Sequence, residues 1–152
     1  MQPMKLYIGG EWRDASSGET FEVLNPLDDS LYAVAAKGTN DDMHAAVSAA
    51  KEAFASYRNT TPNERELWLI RAADIMEQRK QEILDCLIDE IGSPMGKAVF
   101  ELTKGISMMR AAAGLARQVR GETIPSDVPG KFSMSVRSPR GVVACITPFN
   151  VP

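Results

Sequence analysis

The residues with the clearest chemical potential lie over 141–152, where the chain reads GVVACITPFNVP. The continuous apolar run 142–147 has the character of a strand covered on both faces of a parallel sheet. Thr147-Pro148 turns the chain at the carboxyl end of that strand and presents Phe149 and Asn150. In open α/β sheets ligands bind outside the carboxyl ends of the strands, so these residues occupy a functional position. An Asn amide there can donate a hydrogen bond to a developing oxyanion, a role whose loss costs about 3–4 kcal/mol of barrier. A plain structural reading competes with this one: Pro148 ends the strand, Phe149 packs in a core and Asn150 makes an ordinary turn.

Several elements must hold such a strand end in place. Residues 5–13, KLYIGGEWR, alternate around Gly9-Gly10, and 20–25, TFEVLN, resume alternation after the Ser16-Ser17-Gly18 break, which predicts short antiparallel strands. One further extended segment, LYAVAAKG, follows over 31–38. Helical signals begin at Thr39, an N-cap candidate ahead of the stripe Met43, Ala46, Val47, Ala50, Ala53 and Phe54, and this helix is expected to end near Tyr57. Thr61-Pro62-Asn63-Glu64 combines a capping hydroxyl, Pro at the first helical position and Glu three residues after the cap. The stripe Leu67, Ile70, Ala73 and Met76 continues that second helix. A third stripe, Ile83, Leu84, Leu87, Ile88 and Ile91, stops at Gly92, and a fourth helix runs from Met95 to about Val119. After Gly121 the character changes: KFSMSVRSP over 131–139 alternates Phe132, Met134 and Val136 with polar residues, as an exposed strand does.

The order hairpin, helices, exposed strand, buried strand predicts an α/β fold divided into 1–122, a strand segment over 123–140, and 141–152 as the start of a parallel sheet. A doubly covered strand needs parallel neighbours that no later residue supplies, so the chain is expected to be a truncated first part of a larger protein.

Composition narrows the function classes. The 152 residues carry 17 Lys and Arg against 20 Asp and Glu, a net charge of −3 with the signs interspersed, so no global field recruits nucleic acid. No targeting segment or membrane span is legible, and Cys86 and Cys145 form no CxxC or Cys/His cluster. A cytoplasmic protein with neither a metal site nor a membrane partner is expected. Both thiols sit in apolar stripes and read as buried structural groups rather than nucleophiles. His44 reads as an exposed imidazole in a first helical turn. Arg110, Arg117 and Arg120 read as a solvated face, or as salt-bridge partners of Glu101 and neighbouring acids. Gly96-Lys97 lacks the upstream Gly and strand of a phosphate loop.

The segment ITPFNVP, after an apolar strand and an Arg-Gly pair, resembles the I-[TS]-P-[WF]-N-x-P signature of the aldehyde dehydrogenase superfamily. The resemblance extends to YIGGEWRDASSGETFEVLNP, PNERELWLIRAADIMEQRKQEIL, DEIGSPMGKA and RGETIP, and so covers essentially the whole chain. The wording RGETIPSD followed by FSMSVRSPRGVV is most similar to the benzaldehyde, salicylaldehyde and vanillin dehydrogenase branch. The resemblance implies the amino-terminal part of that fold, with a Rossmann-like sheet starting at 142–147 and an oligomerisation strand around 131–139. It implies oxidation of an aldehyde to a carboxylic acid by a Cys thiolate, with NAD or NADP accepting hydride. Carried over, Asn150 stabilises the thiohemiacetal oxyanion, and Ile146, Thr147, Pro148 and Phe149 line the cleft beside the cofactor. Phe149 stands where many members have Trp.

The family's nucleophilic Cys, general-base Glu, ribose-binding Lys and pyrophosphate turn all fall downstream of this sequence, so the 152 residues alone are expected to be inactive. The favoured expectation is therefore the amino-terminal portion of an NAD(P)-dependent aldehyde dehydrogenase acting as a homo-oligomer on an aldehyde, aromatic by resemblance. The alternative is a non-catalytic scaffold or assembly partner that uses its helical surface and exposed strand edge.

Overall fold

In a computed structural model, residues 3–152 are described. Strands β1 (Leu6–Ile8) and β2 (Glu11–Arg13) form an antiparallel hairpin in which Tyr7 faces Trp12, their ring centroids 4.8 Å apart. Gly9 and Gly10 both have positive φ, +65° and +86°, which a type I′ turn demands of both central residues. A second antiparallel pair joins β3 (Thr20–Leu24) to β4 (Leu31–Ala36), with a register shift at Val23/Leu24. Met4 ties the two hairpins together: its N–H donates to the Val34 carbonyl at 2.7 Å and its carbonyl accepts from Ala36 at 2.8 Å.

Four helices follow: α1 (Asn40–Tyr57), α2 (Pro62–Gln78), α3 (Lys80–Asp89) and α4 (Met95–Leu115). Each of the first two begins with a reciprocal capping box, as their sequences predict. At α2 the Glu64 amide donates to the Thr61 hydroxyl at 3.2 Å, and the Thr61 amide donates to the Glu64 carboxylate at 2.7 Å. At α1 the box extends into tertiary structure. The Asp42 carboxylate accepts from the Thr39 amide at 2.9 Å and also from the Ser16 amide and hydroxyl, so it pins the segment before β3 to the helix start.

Those amide donors, the Thr39 backbone first, hold the Asp42 carboxyl below its ordinary range. A carboxyl with a lowered folded pKa contributes stability that is present above its unfolded value, near 3.9, and is lost as the pH falls through the folded value. Asp42→Asn is therefore expected to be clearly less stable than the native chain at pH 7, with the gap closing below about pH 4. Thermal unfolding at pH 7 and at pH 2.5 checks it, and a gap that stays constant with pH would refute the assignment.

The core lies between α2, α3 and α4. Ala73 and Ala98 are fully buried and Leu84, Leu102 and Ile106 nearly so, with Met76, Ile83, Leu87, Ile88 and Met109 packed around them. Small residues at the centre let the helix axes approach closely, and Gly105 admits the Met76 methyl group, 3.7 Å from where a Cβ would stand. Gly92, at φ +70°, closes α3, and a Cβ there would lie 2.8 Å from Pro26 Cγ.

The fold departs from the sequence expectations in five places. Helix α4 ends at Leu115 rather than near Val119. There the Gln118 amide turns back to the Leu115 carbonyl at 2.9 Å, and Arg117 swings onto Glu66 and onto Asn63 Oδ1 at 2.6 Å. The strand expected over 131–139 is reduced to β6 (Ser133–Met134), paired antiparallel with β5 (Thr123–Ile124). Residues 142–147 form no strand ladder and are exposed rather than buried, because among the described residues no parallel strand lies beside them. The α1 stripe is half-open for the same want of a partner layer, with Met43 63% exposed. Two of the three arginines do find acids, but not Glu101: Arg110 on α4 pairs with Asp74 at 3.0 Å and Arg117, just beyond α4, with Glu66, while Glu101 is taken by Lys97.

Candidate active-site segment

Residues 141–152 leave the helical body as an extended segment. Gly141, at φ +104°, makes the entry bend, a conformation a side chain would strain. At the far end the Val151 amide donates to the Pro148 carbonyl at 3.2 Å and closes a turn with Phe149 and Asn150 at its two central positions. The turn carries both side chains out together. Phe149 is 88% exposed and Ile146 97%, with Thr147, Pro148 and Asn150 also exposed. The five candidate site residues are thus contiguous and stand clear of the core.

The donor set of this segment is specific in what it can hold. Ile146, Pro148 and Phe149 offer flat apolar surface, Asn150 offers an uncharged amide donor, and 141–152 contain no Lys, Arg, Asp, Glu or His. Such a surface fits the flat ring end of a dinucleotide rather than its pyrophosphate, which needs backbone nests or cations. The residues present therefore fit one end of the cofactor and leave its phosphates to be held elsewhere.

Neither thiol supplies a nucleophile of the kind such a site needs. Cys86, on α3, is half-buried; its Sγ donates to Glu90 Oε2 at 3.3 Å, and burial pushes the thiol above its ordinary value. A raised pKa keeps it protonated and inert near neutral pH. The neighbouring Tyr32 hydroxyl, hydrogen-bonded to Cys86 and partly desolvated, is pushed up to about 12. Cys145 corrects the expectation of a buried thiol: it is exposed, because the layers that would cover 142–147 are not among the described residues. His44 is exposed at the start of α1. Among the described residues no group of three His, Cys, Asp or Glu is placed to hold a metal ion, and no helix is long and apolar enough to cross a membrane.

Comparison with known proteins places this geometry in context. The pattern of the aldehyde dehydrogenase family matches residues 12–152. The chain is 40% identical to a vanillin dehydrogenase of Pseudomonas fluorescens, over 100% of this chain and 31% of that protein. Its structure resembles the salicylaldehyde dehydrogenase of Pseudomonas putida G7 in complex with salicylaldehyde, with a TM-score of 0.87 and 34% identity over 91% of this chain and 29% of that one. It also resembles an NAD-dependent benzaldehyde dehydrogenase of Corynebacterium glutamicum, with a TM-score of 0.80 and 35% identity over 87% and 29% of the two chains. The chain spans about 30% of the length of these relatives. The unpaired segment 142–147 and the half-open face of α1 are what a portion of a larger α/β protein looks like when read alone. The chain belongs to the aldehyde dehydrogenase family and corresponds to the amino-terminal portion of its fold.

Proposed function

We propose that this chain is the amino-terminal portion of an NAD- or NADP-dependent aldehyde dehydrogenase that oxidises an aromatic aldehyde to its carboxylic acid. The observation that carries the reading is the exposed turn 147–150, which presents an amide donor and an apolar wall side by side. A dinucleotide bound there would supply the hydride acceptor. Ile146, Thr147, Pro148 and Phe149 would give its ring end an apolar surface that excludes water, and the Asn150 side-chain amide donates to the substrate oxygen as negative charge develops on it. Cys86 and Cys145 take no part in this chemistry: one is a protonated, hydrogen-bonded thiol, and the other lies on the segment that leads to the turn.

The aromatic preference rests on the similarity to a vanillin dehydrogenase, a salicylaldehyde dehydrogenase and a benzaldehyde dehydrogenase. Expressing the complete reading frame that contains this chain and following NAD+ and NADP+ reduction tests it. The expected result is a higher kcat/KM for vanillin, salicylaldehyde or benzaldehyde than for a short aliphatic aldehyde. No aldehyde-dependent reduction of either cofactor would overturn the reading.

The edge over 131–139 supports a homo-oligomer. Phe132, Met134 and Val136 are 71%, 61% and 72% exposed in one alternating row, and an uncovered row of this kind invites strand pairing with another copy. Met134→Glu is expected to shift the assembly toward monomer in light scattering, whereas a native protein that is already monomeric would contradict it. The two unpaired thiols are consistent with a cytoplasmic location.

A further inference from the structure

Away from 146–150, four guanidinium-bearing side chains converge on one cleft. Arg58 follows α1, Arg65 lies in the first turns of α2, and Arg137 and Arg140 come from the segment leading to Gly141; together they line a cavity of about 470 Å³. Phe54 and Tyr57 supply apolar wall. No carboxylate lines the cavity, and among the described residues none of the four arginines forms a salt bridge, although the chain as a whole is acidic. Two of the four are already held. Arg65 Nη1 donates to the Thr60 carbonyl at 2.5 Å and to its hydroxyl at 3.3 Å, and the Arg58 guanidinium lies over the Phe54 ring, 5.5 Å from its centroid.

Four like charges around one cavity repel one another, and at separations near a Debye length, about 8 Å at physiological salt, that repulsion is incompletely screened. Guanidinium forks match the oxygens of a phosphate group bidentately, and a multivalent oxyanion removes the repulsion as it binds. We propose that this cleft binds a phosphate-class oxyanion, free or as the phosphate of an aryl ester, at a site separate from the candidate cofactor surface.

The test is calorimetric titration of the full-length protein with inorganic pyrophosphate, inorganic phosphate and phenyl phosphate, each repeated with saturating NAD+. Saturable binding that persists in NAD+ supports the site. Tighter binding of phenyl phosphate than of inorganic phosphate identifies an ester whose ring uses Phe54 and Tyr57, and equal binding identifies the free anion. The Arg137→Ala/Arg140→Ala variant is expected to weaken binding by about tenfold or more while leaving the far-ultraviolet spectrum unchanged. Arg137→Lys/Arg140→Lys, which keeps the charge but not the fork, is expected to retain part of the affinity. Absence of saturable binding, displacement by NAD+, or undiminished affinity in the folded Ala variant would overturn the proposal.

Discussion

Asn150→Ala is expected to lower kcat for aldehyde oxidation by about 10²–10³-fold in the complete enzyme, with a much smaller change in KM. The asymmetry follows from where the amide acts. A donor aimed at the oxygen on which charge develops interacts more strongly with the transition state than with the neutral carbonyl, so its loss falls on the chemical step. The turn closed by the Val151-to-Pro148 hydrogen bond is made by backbone atoms, so the substitution leaves it intact. Asn150→Asp is expected to be as damaging or worse, because a carboxylate places like charge beside the developing oxyanion. Steady-state kinetics on the two variants checks both statements. A KM effect with kcat unchanged would reduce Asn150 to a ground-state binding residue.

Leu102→Ala carries the largest expected effect on stability. Leu102 is 4% exposed on α4 among Ala73, Leu84, Ala98 and Ile106, at the centre of the three-helix core. Its alanine and close-packed neighbours cannot collapse far into a void, so the loss includes a cavity contribution and is expected to be about 3 kcal/mol. For a unit of this size that corresponds to a fall in melting temperature of about 10 °C. Leu115→Ala makes the control: Leu115 lies on the same helix but is 59% exposed, and a change within about 0.5 kcal/mol is expected. Equal losses for the two would mean that the core is placed wrongly.

What could be read from the sequence divides along the range of the interactions. The starts of α1 and α2 were legible because a capping box is written within four residues, Thr39 to Asp42 and Thr61 to Glu64. The Gly9-Gly10 hairpin was legible because only positive φ at both positions makes the turn. The end of α4 was not: the residues after Leu115 are respectable helix formers, and what stops them is an i→i+3 turn together with Arg117 reaching Glu66 and Asn63 on another helix. The run 142–147 is legible as apolar, but its cover is not, since burial belongs to the neighbours and not to the strand, and no neighbouring strand lies among the described residues. The Arg117 to Glu66 pairing and the arginine cleft were invisible for a related reason. Arg117 and Glu66, and the two halves of the cleft, lie more than fifty residues apart, and no local spacing signals that α1, α2 and the segment before Gly141 meet.

The candidate site was legible as residue types, an apolar wall ending in an amide, while its chemical meaning came from the match of ITPFN to one family. Side-chain exposure over 146–150 adds that nothing in this chain competes for those groups.

The most direct measurement is the distance from Asn150 Nδ2 to the aldehyde oxygen in a crystal structure of the complete protein with salicylaldehyde bound. The account predicts 142–147 paired into a parallel sheet and the amide about 2.7–3.1 Å from that oxygen. An Asn150 side chain turned into the backbone turn, with the aldehyde oxygen held by other donors, would contradict it.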